Sequence, residues 1–263
     1  MIVDLTLLNR ALLAGIILLS SFTAKAEIME FGGTSFYVYE HDPAKEKLEL
    51  WLGPGKEKPN TFPGVEARAK DAGRKVKFAT NAGIFEGNFL PTGLHISEGK
   101  TVVKLNTEDF VKTSEGQLTP NFFLKPNGVF YLTDQGGAAV VETSVMQKAA
   151  MATPRIATQS GPLLVSQGKI HPVLGKDSTS KRYRNGVGVT KDGRIFFACS
   201  VLEREKGLSN LYNFASFFRD KLGCPNALYL DGDLSYVYIA GETPPIIETN
   251  WFAGIFVVTE PAK

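Results

Sequence analysis

The sequence predicts an α+β fold: a single domain with a largely antiparallel β-sheet and a few packing helices. Three observations lead there. Short apolar runs recur along the chain with turn residues between them, and Asn-Gly and Asp-Gly stand at two of those turns. Only one segment carries a clear helical stripe, which fits segregated helices better than a βαβ alternation. The 26 glycines provide for many tight turns.

The elements follow in chain order. Thr34 to Tyr39 alternates as a strand, and Leu48 to Leu52 repeats the pattern after an Asp42-Pro43 turn. Gly53 to Pro63, rich in Pro, Gly and Lys, reads as a loop. A short helix is expected from Val65 to Ala72, closed by Gly73. Val76 to Thr80 is a strand that delivers Asn81. Phe122 to Leu124 and Val129 to Leu132 flank Pro126-Asn127-Gly128 and read as a hairpin. Val187 to Val189 and Ile195 to Phe197 flank Lys191-Asp192-Gly193 and read the same way. A third strand pair surrounds Ser166-Gln167-Gly168. Leu211, Phe214, Ala215, Phe218 and Leu222 form one apolar helical stripe, with Ser209 expected as N-cap and Gly223 as terminator. Strand Ala227 to Leu230 then delivers Asp231. A last strand is expected from Phe252 to Val258.

The N-terminus reads as an export signal. Arg10 precedes an apolar run from Ala11 to Leu19, and Ala24-Lys25-Ala26 forms an A-x-A cleavage site before Glu27. The run is short of the roughly 20 residues that span a bilayer. Residues 1–26 are therefore expected to be a signal peptide and 27–263 the domain, periplasmic or secreted, with no membrane span after cleavage. The formal charge of +2 lacks the strong basic face of a nucleic-acid binder. Cys199 and Cys224 either pair in an oxidising compartment or remain two buried thiols. Three histidines and two cysteines show no zinc-type spacing, so no cofactor is expected. Asp231 and Asp233 have the hard oxygen ligands a divalent cation takes, but two aspartates do not make a site.

Four segments place polar residues at strand ends or tight turns, where rigid elements leave them reachable. They are Asn81 to Gly87, Gln159 to Pro162, Arg182 to Val189, and Leu230 to Ser235. In order along the chain, Asn81–Phe85, Pro91–Lys100, Ala157–Ile170, Arg184–Phe197 and Gly207–Ser235 resemble the phosphodiester glycosidase family. The family's Asn-Gly-Gly-Phe-Phe is here Asn81-Ala82-Gly83-Ile84-Phe85, its Arg-Thr-Ala is Arg184-Asn185-Gly186, and its Asp-Gly-Gly-Gly-Ser is Asp231-Gly232-Asp233-Leu234-Ser235.

The resemblance implies hydrolysis of a sugar-1-phosphate diester, with a saccharide or sugar phosphate as the partner. Arg184 suits the phosphate, because a guanidinium matches phosphate oxygens bidentately and stays charged. Asp231 is the leading catalytic carboxylate, as base on water or as nucleophile. Glu86 and Asp233 are candidates for a second, and glycosidases commonly use two. His95 has an ordinary pKa suited to an acid; the alternative is a strand histidine packed on the sheet. Asn81, Gln159, Ser160, Asn185, Asp233 and Ser235 offer hydrogen bonds to sugar hydroxyls or phosphate oxygens. A serine hydrolase through Ser160 lacks the GxSxG elbow. The rival class is a glycan-binding or envelope-assembly protein that uses the same cleft without turnover.

Overall fold

The structure is a computed structural model that describes residues 26–53, 60–148, 154–232, 234–244 and 250–262. The apolar leader up to Lys25, and Asp233, lie outside the described residues. Strands β1 (Ala26–Phe31), β2 (Thr34–His41) and β3 (Leu48–Leu52) lead to helix α1 (Phe62–Asp71) and β4 (Arg74–Asn81). Next come β5 (His95–Ser97), β6 (Lys100–Val103), β7 (Gly128–Leu132), β8 (Ala138–Glu142) and helix α2 (Thr143–Lys148). Then follow β9 (Ile156–Ser160), β10 (Leu163–Ser166), β11 (Lys169–Ile170), β12 (Asn185–Val189) and β13 (Ile195–Ser200). Helices α3 (Arg204–Gly207) and α4 (Leu211–Ser216) precede β14 (Asn226–Asp231), β15 (Val237–Ile239) and β16 (Gly254–Pro261).

These strands form three sheets. A seven-stranded sheet runs β1-β2-β13-β12-β14-β10-β11, a four-stranded sheet β15-β4-β16-β3, and a five-stranded sheet β6-β5-β9-β7-β8. The ladders are antiparallel in all three, as the hairpin turns require. No helix among the described residues is long and apolar enough to cross a membrane.

The core sits where the inner faces of the three sheets meet. Phe197 of the seven-stranded sheet lies 5.1 Å from Phe256 and 5.2 Å from Phe78 of the four-stranded sheet. Phe130 of the five-stranded sheet lies 5.9 Å from Phe197 and 5.7 Å from Phe256. Each of these fully buried rings stabilises the fold by roughly 2 kcal/mol of transfer free energy. Two further clusters cover outer faces. Phe214, Phe217, Phe218 and Leu222 pack on Phe36, Ala198 and Tyr229 of the seven-stranded sheet. Phe62, Val65 and Ala69 of α1 pack on Val76, Ala79, Ile255 and Val257 of the four-stranded sheet. Together the layers position strand ends from all three sheets around one point.

Several local expectations need revision. Helix α1 starts at Phe62 rather than Val65, because Thr61 Oγ1 accepts from Gly64 N at 3.0 Å and Pro63 is tolerated in the first turn. The cap of α4 is Asn210, not Ser209. Its Oδ1 accepts from Asn213 N at 2.8 Å, while the Ser209 hydroxyl donates to Asn210 O. The helix then passes into a π-helical turn, Phe217–Lys221, before Gly223 at φ 69° ends it. The Phe122–Leu132 hairpin does not form. Phe122 lies in a 3₁₀ turn, Asn127 Nδ2 donates to Phe122 O at 2.8 Å, and β7 pairs instead with β8 and β9. A three-residue run between prolines is too short to compete with those longer ladders. The hairpin at Lys191–Gly193 and the pair around Ser166–Gly168 form as expected. The last strand begins at Gly254, two residues later than expected.

The cysteines are two buried free thiols on opposite faces of the seven-stranded sheet. Burial pushes the Cys224 thiol up to about 12. Burial, and then the nearby Asp231 charge, raises that of Cys199. Both stay protonated and unreactive at neutral pH.

Candidate active site

Asn81 closes β4, Ser160 closes β9, Asn185 opens β12 and Asp231 closes β14, so all three sheets contribute a strand end. Asn185 and Asp231 are cross-strand partners. Polar side chains at these positions are buried and need partners, and their pairing fixes the site.

The amide of Asn81 is orientated by its neighbours. Its Oδ1 accepts from Asn185 Nδ2 at 3.0 Å and from Tyr236 N at 2.9 Å. Asn185 Nδ2 also donates to Asn81 O at 2.7 Å. With its oxygen so occupied, Asn81 turns Nδ2 towards Asp231 Oδ2, 3.3 Å away. The other carboxylate oxygen, Oδ1, accepts from Gly232 N at 2.6 Å. An ionised carboxylate only accepts, so these donors satisfy and aim it. The Ser235 hydroxyl donates to Asp231 O at 3.1 Å and closes the turn that follows.

Arg184 is 3 % exposed and is held by three bonds. Its Nε donates to Ser209 O at 2.9 Å, Nη1 to Tyr229 Oη at 3.1 Å and Nη2 to Ser180 O at 3.0 Å. The guanidinium also stands 5.7 Å from the centre of the Tyr229 ring. All three acceptors are neutral. No carboxylate of the described residues lies within ion-pair distance of Arg184. Burying a cation costs free energy, and an anionic ligand offsets that cost. A guanidinium has five N–H donors, so two remain for a ligand beyond these three bonds.

Arg182, Arg184, Tyr229, Asp231 and Gly232 line one cleft of about 470 Å³, with Ile84, Asn121, Ser180 and Leu211. That volume suits a small ligand such as a sugar phosphate, within the ~300–1,000 Å³ usual for ligand pockets. Gly232 is required at its place: a Cβ there would sit 2.6 Å from Tyr229 Oη, the group that holds Arg184.

Other expected residues stand elsewhere. Gln159 is 1 % exposed and fully engaged. Its Oε1 accepts from Leu94 N and Asn106 N at 3.0 and 2.9 Å, and its Nε2 donates to Asn106 O and Thr143 Oγ1 at 2.6 and 3.1 Å. It clamps the chain after β4 and has nothing left for substrate. Ser160 donates to Leu230 O at 3.1 Å and accepts from Ile84 N at 3.3 Å, so it ties a cleft-lining residue to the strand that carries Asp231. His95 is wholly buried beside Gly254, and burial lowers its pKa to about 4. It is therefore neutral at physiological pH and packed on the sheet. Glu86 is exposed on the turn after Ile84, outside the cleft lining. Among the described residues no cluster of three or more His, Cys, Asp or Glu is placed to hold a metal ion.

Tyr229 is the main residue that motif reading misses. A register shift between Asn185 and Gly186 breaks the alternation of β14 between Tyr229 and Asp231, so the strand pattern gives no signal that would have found it. Asn121 and Ser180 come from remote loops and carry no local signal.

The chain is 32% identical over 209 residues to the uncharacterized protein YigE of Escherichia coli (strain K12), covering 79% of this chain and 75% of that one. Its fold is similar to the zebrafish N-acetylglucosamine-1-phosphodiester alpha-N-acetylglucosaminidase catalytic domain: TM-score 0.59, 18% identity, covering 90% of this chain and 82% of that one. A hypothetical protein from Synechocystis gives a TM-score of 0.52 at 16% identity, covering 89% of this chain and 61% of that chain. The phosphodiester glycosidase family model matches residues 74–251, from β4 to beyond Asp231. Since that span holds every cleft-lining side chain named above, fold and sequence agree that this chain belongs to the phosphodiester glycosidase family.

Proposed function

We propose that the protein hydrolyses a glycosyl phosphodiester at the sugar's anomeric carbon, in the cell envelope. The observation that carries this reading is the cleft shared by Arg184 and Asp231. Arg184 binds the phosphodiester oxygens with its remaining N–H groups, and its charge, which has no ion-pair partner among the described residues, favours an anion. Asp231 is the catalytic carboxylate, either taking a proton from the attacking water or attacking the anomeric carbon itself. The bond between that carbon and the bridging oxygen breaks, and the phosphate leaves as a monoester; where Asp231 has attacked, water then cleaves the glycosyl ester and frees the sugar. A phosphate leaving group is weakly basic and needs little protonation, so Asp231 can act without a carboxylic acid to protonate the leaving group. This agrees with the position of Glu86 outside the lining. Asn81 holds Asp231 and is itself held by Asn185, so the two amides are positioning residues. The reaction as written needs no cofactor.

The test is turnover of chromogenic sugar-1-phosphodiesters by the purified domain. Release of both sugar and phosphomonoester supports the reading; binding without release across a broad set of sugars favours a glycan-binding protein. The apolar leader and the A-x-A site motivate the envelope assignment. Intact mass of protein from an envelope fraction is expected to show a chain starting at or near Glu27, and a chain retaining residues before Ala24 contradicts it.

A further inference from the structure

A cluster of aromatic rings stands at the surface next to this site. Trp251 is 56% exposed, and the partly buried Phe89 lies 5.5 Å from it at an interplanar angle of 82°. Phe85 lies 5.9 Å from Phe89 on the other side. The cluster is held in an unusual way. Phe89 has φ 58°, a left-handed conformation that is a true outlier for a bulky residue. A tight turn enforces it: Phe89 N donates to Glu86 O at 2.8 Å, and Glu86 N donates to Leu90 O at 2.9 Å. Strain of this kind persists where the surroundings over-determine it, and it gathers at ligand sites.

The cluster is joined to the cleft through the chain. Ile84 lines the cleft and Phe85 follows it. Ile255 pairs with Asn81, the residue that aims Asp231, and Ala82 N donates to Gly254 O at 2.9 Å. Trp251 lies four residues before Ile255, hence at most ~14 Å from it. We infer that Trp251 and Phe89, backed by Phe85, form a stacking platform for a further sugar ring of a longer glycan. The inference rests on the proposed function for the class of ligand.

The chemistry favours a saccharide over other occupants. The C–H face of a pyranose is apolar with a slight positive charge, and it lies flat on the negative face of an aromatic ring. The exposed part of Trp251 is on the order of 140 Å², taking ~250 Å² for a whole indole. That fits one sugar ring and falls far below the ~800 Å² per partner of a stable protein interface.

The test uses the full domain and four neutral tetrasaccharides: maltotetraose, isomaltotetraose, cellotetraose and chitotetraose. Trp51 and Trp251 are the two tryptophans, and Trp51 is buried with the Arg68 guanidinium 4.1 Å from its ring centre. A fluorescence change on adding sugar therefore reports Trp251. At least one tetrasaccharide is expected to change the emission with a millimolar Kd. Phe89→Ala should weaken that Kd about fivefold or more. Trp251→Ala should abolish the heat of binding in calorimetry. Both variants should turn over a monosaccharide aryl phosphodiester like wild type, which also shows that they fold. No emission change and no heat with all four sugars overturns the platform. So does self-association that Trp251→Ala abolishes, since the occupant is then a second copy. Sugar binding without any diester turnover keeps the platform and defeats the proposed reaction; turnover without sugar binding does the reverse.

Discussion

Replacing Arg184 by lysine separates its two jobs. The side chain is 3% exposed, and its guanidinium ties Ser209 O, Ser180 O and Tyr229 Oη together. A lysine ammonium keeps the charge but has no planar fork, so it replaces one of these bonds and leaves two acceptors bare. Bonds from a charged donor contribute at least ~1.5 kcal/mol each, so the loss is about 3 kcal/mol. For a domain of this length that lowers Tm by about 6–12 °C. Phosphodiester affinity should fall at least about tenfold, because the bidentate contact is lost as well. The assays are thermal unfolding, and calorimetric titration with a C-glycosyl phosphonate ester, which cannot be hydrolysed. Arg182→Lys is the comparison, since Arg182 lines the same cleft but is exposed. Unchanged Tm and unchanged affinity in Arg184→Lys would refute both the clamp and the phosphate role. A large affinity loss confined to Arg182→Lys would move the phosphate two residues along the chain.

Asn81→Ala removes the amide that aims Asp231, so kcat should fall by roughly tenfold to a hundredfold with a smaller change in KM; steady-state kinetics that show raised KM and intact kcat would make Asn81 a substrate ligand instead. Acid should destabilise the fold through His95. Burial lowers its folded pKa from 6.5 to about 4, so the folded state binds this proton more weakly than the unfolded chain. Its contribution is complete above the ordinary value and is lost as pH falls from about 6.5 to about 4, by about 3 kcal/mol in all. Urea midpoints across that window should decline in wild type and decline less in His95→Leu; a flat wild-type profile contradicts the burial.

The turns and the helical stripe were legible because their signals are local. Lys191-Asp192-Gly193 and Ser166-Gln167-Gly168 each reverse the chain with residues that tolerate left-handed backbone, and Gly193 and Gly168 adopt φ 85° and 76°. The strand ends that deliver Asn81 and Asp231 were legible for the same reason. Failures came where the deciding partner is remote in sequence. Phe122 to Leu124 looks like a strand until Asn127 and the ladder with Ala138–Glu142 compete for its neighbour. Gln159 looks like a ligand-binding amide, but Leu94, Asn106 and Thr143 use all of its capacity. His95 looks titratable only until its neighbours exclude water. Asn81 and Asn185 illustrate the remaining ambiguity: their residue type marks a polar site, and only the fold shows that Asn185 bonds Asn81 and Asn81 bonds Asp231.

The most direct test compares wild type and Asp231→Asn in steady-state hydrolysis of a sugar-1-phosphodiester. The substitution keeps the shape and removes the charge, and circular dichroism can confirm that the strand end survives. Turnover by the folded variant should fall at least about a hundredfold, the low end for losing a general base. Turnover near wild type in that variant would contradict the assignment of Asp231 and, with it, the catalytic reading of the cleft.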